Sequence, residues 1–151
     1  MKREAIYQAL LTQLQGLTAP PYSLAIPVIS RDWVAWDNCP NQPAIFLAPE
    51  EETAAYDSAK IFIRWTIRAA LWVYVQKADD QTLGVQVLTV ILDAIESVLM
   101  ARAGSVQGPP PFVNTLGGLV NQLAINGPTV ISPGYLGSQT VARVPIEIIT
   151  A

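Results

Sequence analysis

Histidine is absent from this 151-residue chain, and cysteine occurs once, at Cys39. Without His, the commonest general base and metal ligand is missing. A Cys–His nucleophile is excluded, and a lone cysteine closes no internal disulfide. The core must therefore hold by packing alone, which suits a reducing compartment. Charge is scarce as well. Only 14% of residues are Asp, Glu, Lys or Arg, the net charge is −3, and no Lys/Arg run occurs. Nucleic-acid readers carry a basic patch, so direct nucleic-acid recognition is not expected. Gly104, Gly108, Gly117 and Gly118 lack the spacing of a phosphate-binding loop or a dinucleotide fingerprint. Neither a cofactor nor a catalytic centre is expected. The opening MKREAIYQALL has no apolar signal core, and the apolar stretch from Leu83 to Met100 is interrupted by Gln86, Asp93 and Glu96, which makes a poor membrane span. A cytosolic protein of the producing cell is the expectation.

What is abundant is apolar surface. Hydrophobic residues make up 51% of a chain whose length suits a single domain over 1–151. With so little charge to cover a monomer, self-association is expected.

The chain is organised around Lys60 to Lys77, KIFIRWTIRAALWVYVQK. Ile61, Ile63, Trp65, Ile67, Ala69, Leu71, Val73 and Val75 alternate with Phe62, Arg64, Thr66, Arg68, Ala70, Trp72, Tyr74 and Gln76. Alternation of this kind is the mark of a β-strand. At ~3.3 Å per residue it extends roughly 50 Å, far beyond a strand of ordinary length. The apolar face calls for a helix above it, and part of the strand must project, bend or meet another subunit.

Around it the pattern gives two helices. Ile6, Ala9, Leu10, Leu14 and Leu17 predict an amphipathic helix from Lys2 to about Leu17, closed by Gly16 before Pro20-Pro21. Leu88, Ile91, Ile95, Val98 and Leu99 predict a second, opened by Asp79-Asp80 and closed near Arg102 and Gly104. Leu24, Ile26 and Val28 suit a strand within residues 22–36, held to an edge by Pro27. Ala44–Ala48 reads as a short strand, and Pro49–Ser58 as an acidic loop joining it to the long strand. Gly108–Pro111 and Ser132–Ser138 read as loops. Leu119–Ile125 and Val130-Ile131 suit strands joined by a turn at Asn126-Gly127. Gln139–Ile149 alternates with Val144, Ile146 and Ile148 inward and Arg143 and Glu147 outward, and Pro145 suggests another edge. The order lacks strand–helix–strand repetition. An α+β fold follows: a mostly antiparallel mixed sheet, one very long strand, and two helices on one face.

The side chains worth following are few. Glu50, Glu51 and Glu52, with Asp57, read as a solvated acidic loop, since the spaced carboxylates of a calcium loop are missing. Arg64 and Arg68 share one strand face and suit either a half-solvated sheet surface or a carboxylate or anion partner. Trp33 and Trp36, beside a proline-rich turn, either pack beneath it or anchor a protein contact.

Taken together, VISRDWVAW, then NQPAIFLAP, an acidic segment, the very long strand, a long helix and a terminal GYLGSQTVARVPIEII resemble the tail-terminator (tail completion, minor tail protein U type) proteins of long-tailed bacteriophages. The resemblance covers nearly the whole chain. It implies an α+β virion protein in the neck region of the tail, without catalytic residues. Such proteins form a homo-oligomeric ring, typically a hexamer, at the head-proximal end of the tail tube. They stop tube polymerisation and join the tail to the head connector, with DNA passing through the ring. By region, the resemblance places ring or tube contacts at Glu50, Glu51, Glu52 and Asp57, at Arg64 and Arg68, and between Ser132 and Ser138. A neighbouring neck or tube ring protein is the alternative, and a small anion-binding enzyme domain using Arg64 and Arg68 stands further off.

Overall fold

In the computed structural model, residues 1–76, 84–100, 113–132 and 139–150 are described. Asp79-Asp80, Arg102, Gly104, the Gly108–Pro111 loop and most of the Ser132–Ser138 loop lie outside them, so those expectations are not addressed.

The architecture is α+β. Helix α1 (Arg3–Gln15) precedes β1 (Val28–Ser30), β2 (Ala44–Tyr56) and β3 (Phe62–Gln76). Helix α2 (Gly84–Leu99) is followed by β4 (Gln122–Ile125), β5 (Val130–Ser132) and β6 (Gln139–Ile149). The sheet runs β1-β2-β3-β6-β4, with β5 also on β6. β1 pairs in parallel with β2, and every other pairing is antiparallel.

Both helices lie on one face, as the apolar side of β3 requires. Ile67, Ala69, Leu71, Val73 and Val75 join Ala142, Val144, Ile146 and Ile148 of β6 beneath Ile6, Leu10 and Leu14 of α1 and Leu88, Ile91 and Ile95 of α2. Each Val, Leu or Ile side chain among them taken from water contributes about 1.5–3 kcal/mol, and this face is the main core. The opposite face carries a smaller cluster, where Phe46 and Tyr74 sit beneath Cys39, Val34 and Trp36. The Tyr74 hydroxyl donates to the Val34 carbonyl at 2.8 Å and pins that cover in place.

Several boundaries differ from the sequence reading, each for a local reason. Gly16 closes α1, as expected, but without turning left-handed. It stays right-handed, and the chain tightens into one 3-10 turn over Gly16–Thr18. The strand expected within residues 22–36 shrinks to Val28–Ser30. The Leu24 N–H is taken by the Leu17 carbonyl, and Pro27 offers no N–H to a ladder. As expected, that strand lies at the sheet edge.

The acidic segment is not a loop. β2 continues through it to Tyr56, because β3 offers a backbone partner all the way. A bulge at Glu50 hid this from the pattern: it breaks the alternation and leaves an extra residue between Pro49 and Glu51.

Asn126-Gly127 does not join a hairpin. β4 and β5 both pair with β6, end to end along the same edge. Residues 126–129 step out between them, with Gly127 at φ +114° and any Cβ there only 3.3 Å from Pro145 Cγ. That interruption accommodates Pro145, which is interior rather than at an edge. Its carbonyl accepts from the Asn126 N–H, so the side of β6 where Pro145 lacks a donor faces the gap between the two short strands.

Candidate functional site

Beyond Thr66, β3 loses its partner β6, since their pairing ends at Thr66–Ile149, with only Trp65 still tied to Thr150. β2 and β3 go on together as a two-stranded hairpin that leaves the body of the domain. The expectation that part of the long strand projects is met by residues 61–65. The helix cover ends there too. Arg3, at the start of α1, stacks over the Trp65 ring at 5.4 Å. Trp65 is thus half-buried at the limit of the core.

Past this limit the chain is apolar and uncovered. Tyr56 is 59% exposed, Ile61 63%, Phe62 43% and Ile63 51%. Isolated exposed apolar residues are ordinary, but a contiguous group on a projection marks a contact. The group is also rigid. Phe62 packs against Tyr56 and Trp65, with ring centroids 6.0 and 5.9 Å away.

The turn is built by Asp57. Its carboxylate accepts from the Ala59 N–H at 2.9 Å and the Ile61 N–H at 2.8 Å. Its backbone N–H donates to the Ile61 carbonyl, and Lys60 takes φ +60°. Asp57, a candidate for ring contact, therefore shapes the tip and spends its carboxylate inside it.

The bulge at Glu50 divides the three glutamates between the two faces. Glu52, opposite Ile67, lies on the helix side and receives the Arg3 guanidinium at 2.7–2.9 Å. Arg3 holds the Glu52 carboxyl below its usual value by donating to it. A carboxyl lowered in the folded state adds stability that is complete above the ordinary pKa of 4.5. That stability is lost as pH falls through the lowered value. Glu52→Gln is expected to lower stability modestly at neutral pH, the pair being exposed, and the difference is expected to vanish as pH falls below 4.5, so that the acid unfolding curve flattens. Matched acid titrations of the two proteins, followed by circular dichroism, check this; a parallel pair of curves would contradict it.

Glu50 lies toward the opposite face and pairs with Arg143 of β6, whose Nε donates at 3.0 Å. The arginine reaches across β3 near Ala70, which stands between Ala48 and Pro145 and carries only a methyl group. Arg68 sits between Glu51 and Glu147 in register. These five charges line a shallow polar cleft of about 370 Å³. Arg64 shares the face of Arg68, as expected, but stands out on the hairpin opposite Ala55 and does not line the cleft. The two arginines are not brought together over one ligand.

Pro49 and the acidic bulge have another consequence. Beyond Phe46, β2 has no neighbour on its outer side among the described residues. A proline, a bulge and three carboxylates on such an edge oppose uncontrolled strand pairing. The two tryptophans divide. Trp36 packs in the small cluster on the second face, and Trp33, half exposed, meets the Trp72 ring edge-on at 6.3 Å.

The residues missed from sequence are Tyr56, Phe62 and the two isoleucines as an exposed group. A signal was present in Asp57–Lys60, DSAK, whose turn chemistry fixes where the hairpin ends and so what lies beyond the cover. Among the described residues no group of His, Cys, Asp or Glu is positioned to hold a metal ion, and no helix is long and apolar enough to cross a membrane. The chain matches no protein-family model and no curated protein sequence.

Proposed function

We propose that this chain is a ring-forming structural protein of a bacteriophage tail, a terminator that assembles at the head-proximal end of the tube, ends its growth and joins it to the head connector. The observation that carries this reading is the projecting β2–β3 hairpin with its rigid, uncovered apolar tip. A monomeric domain gains nothing by holding large apolar groups in water, whereas a subunit that inserts them into a neighbour does. The charged outer face fits such an assembly: Glu50 is held by Arg143 across the sheet and Arg68 lies between Glu51 and Glu147, an arrangement that suits contacts with tube or connector proteins better than convergence on a small ligand.

Added to unfinished tails, the protein should bind one end only and stop further lengthening by tube protein, as seen by electron microscopy. Decoration along the tube, or co-polymerisation into it, would favour a tube protein. Absence of any tail binding would overturn the reading.

A further inference from the structure

We infer that the hairpin tip of one copy seats in the groove between α2 and β5 of a second copy, a contact that repeats head to tail around a closed ring. The inference deepens the ring reading and rests on it for closure, while the contact itself stands on two surfaces of this chain.

The groove lies between the C-terminal half of α2 and the outer edge of the sheet. Leu92 and Ile95 form one wall, and Ile125, Ile131 and Val144 the other, around a space of about 400 Å³. Ile131 is 47% exposed although it lies on the helix side of the sheet, because nothing among the described residues covers the far edge of β5. Asp93 and Glu96 also line this groove.

The tip is complementary in each respect. It offers Ile61, Phe62 and Ile63 for the apolar walls, flanked by Lys60 and Arg64. Its one carboxylate, Asp57, is turned inward to its own backbone. A cationic tip therefore meets an anionic groove, which fixes orientation and disfavours tip-to-tip pairing. Because the ring stack and the Asp57 turn already hold the tip, little conformational freedom is lost on docking.

A copy cannot fill its own groove. Val144 stands opposite Leu71, nine positions along β3 from Phe62, or roughly 30 Å at ~3.3 Å per residue. A rigid hairpin cannot fold back over that span. Two different surfaces that fit each other form a heterologous contact, which generates a ring where the rotation closes.

The test mixes copies bearing Ile63→Cys with copies bearing Ile131→Cys under mild oxidation, with the unaltered chain and its buried Cys39 as control. Disulfide-linked pairs holding one copy of each variant are expected in the mixture, and few from either variant alone. A chain carrying both changes should give a ladder that ends at one ring size. Self-linking of either variant as readily as the mixture, no linking in the mixture, or linkage within single doubly altered chains would each overturn the inference; the last would mean that the groove is filled by its own chain.

Phe62→Asp supplies an independent arm. It should raise the dissociation constant by about tenfold or more, from the loss of one buried aromatic side chain, with the folded circular dichroism spectrum retained. A Phe62→Asp protein that still caps tails in full would sink the tip-and-groove contact and spare the terminator reading. Rings linked through the two introduced thiols that never bind tails would do the reverse.

Discussion

Replacing Leu71 with alanine is expected to remove about 2–5 kcal/mol of stability, the usual cost of opening a cavity in a well-packed core. Leu71 is fully buried at the centre of the sheet, with Leu47 on one neighbouring strand and Val144 on the other. All three face the helices, so no flexible surface group can collapse into the space. For a domain of this size the thermal midpoint should fall by roughly 5–15 °C. The comparison needs a fixed protein concentration, since assembly itself raises the midpoint. A loss under about 1 kcal/mol would mean that the helix layer is not packed over β3 at this point.

The second large effect is expected at Asn114. Its amide joins parts of the chain that no strand connects. The Asn114 Nδ2 donates to Gln13 Oε1 on α1 at 2.7 Å and to the Leu99 carbonyl at the end of α2 at 3.0 Å. Its Oδ1 accepts from the Leu116 N–H at 3.0 Å and from Gln13 Nε2 at 3.2 Å. Asn114→Ala removes the partner that the amide gives to the Leu99 carbonyl and to the Leu116 N–H, which then have none among the described residues. At about 1–3 kcal/mol for each unsatisfied group, a total loss of roughly 2–6 kcal/mol follows. Denaturant unfolding measures it. Asn114→Asp separates the two roles of the amide: it keeps an acceptor for the Leu116 N–H but removes both Nδ2 donors. If both substitutions are neutral, Asn114 does not hold the two helices to the segment before β4.

The long strand was the most legible part of the chain, because a period of two sustained over Lys60–Lys77 has no helical explanation. β6 was legible for the same reason. What failed did so where one local event broke a pattern. The bulge at Glu50 shifted the phase of β2, and three adjacent carboxylates then read as a solvated loop, although β3 supplies a backbone partner through Tyr56. Asn126-Gly127 carries the residues of a tight turn, but the strand that takes up both flanks is β6, further along the chain. Pro145 pointed to an edge because the sequence does not show that its neighbour has a gap at that level.

Among the candidate site residues, Glu50, Glu51 and Arg68 come together across the sheet with Arg143 and Glu147 of β6, which were not candidates. Composition could not show this, since it depends on the small Ala70 between them. Asp57 was noticed for its charge, whereas its role lies in geometry. The apolar tip was visible as sequence but not as surface, because exposure at Ile61 and Ile63 depends on where α1 begins, at Arg3 over Trp65.

Three of the charges chosen from the sequence thus turn out to be fixed within the chain. Glu50 is held by Arg143, Glu52 by Arg3, and Asp57 by its own turn. The large apolar groups at the tip are left uncovered among the described residues, and the proposed ring accounts for them.

The most direct measurement is native mass across a concentration series, for the unaltered chain and for Phe62→Asp under the same conditions. The account predicts a single closed oligomer for the first, of six copies if the resemblance to tail terminators holds, and a shift to monomer for the second with its fold intact. An unaltered chain that stays monomeric at every concentration, or a Phe62→Asp protein that assembles as well as the original, would contradict it.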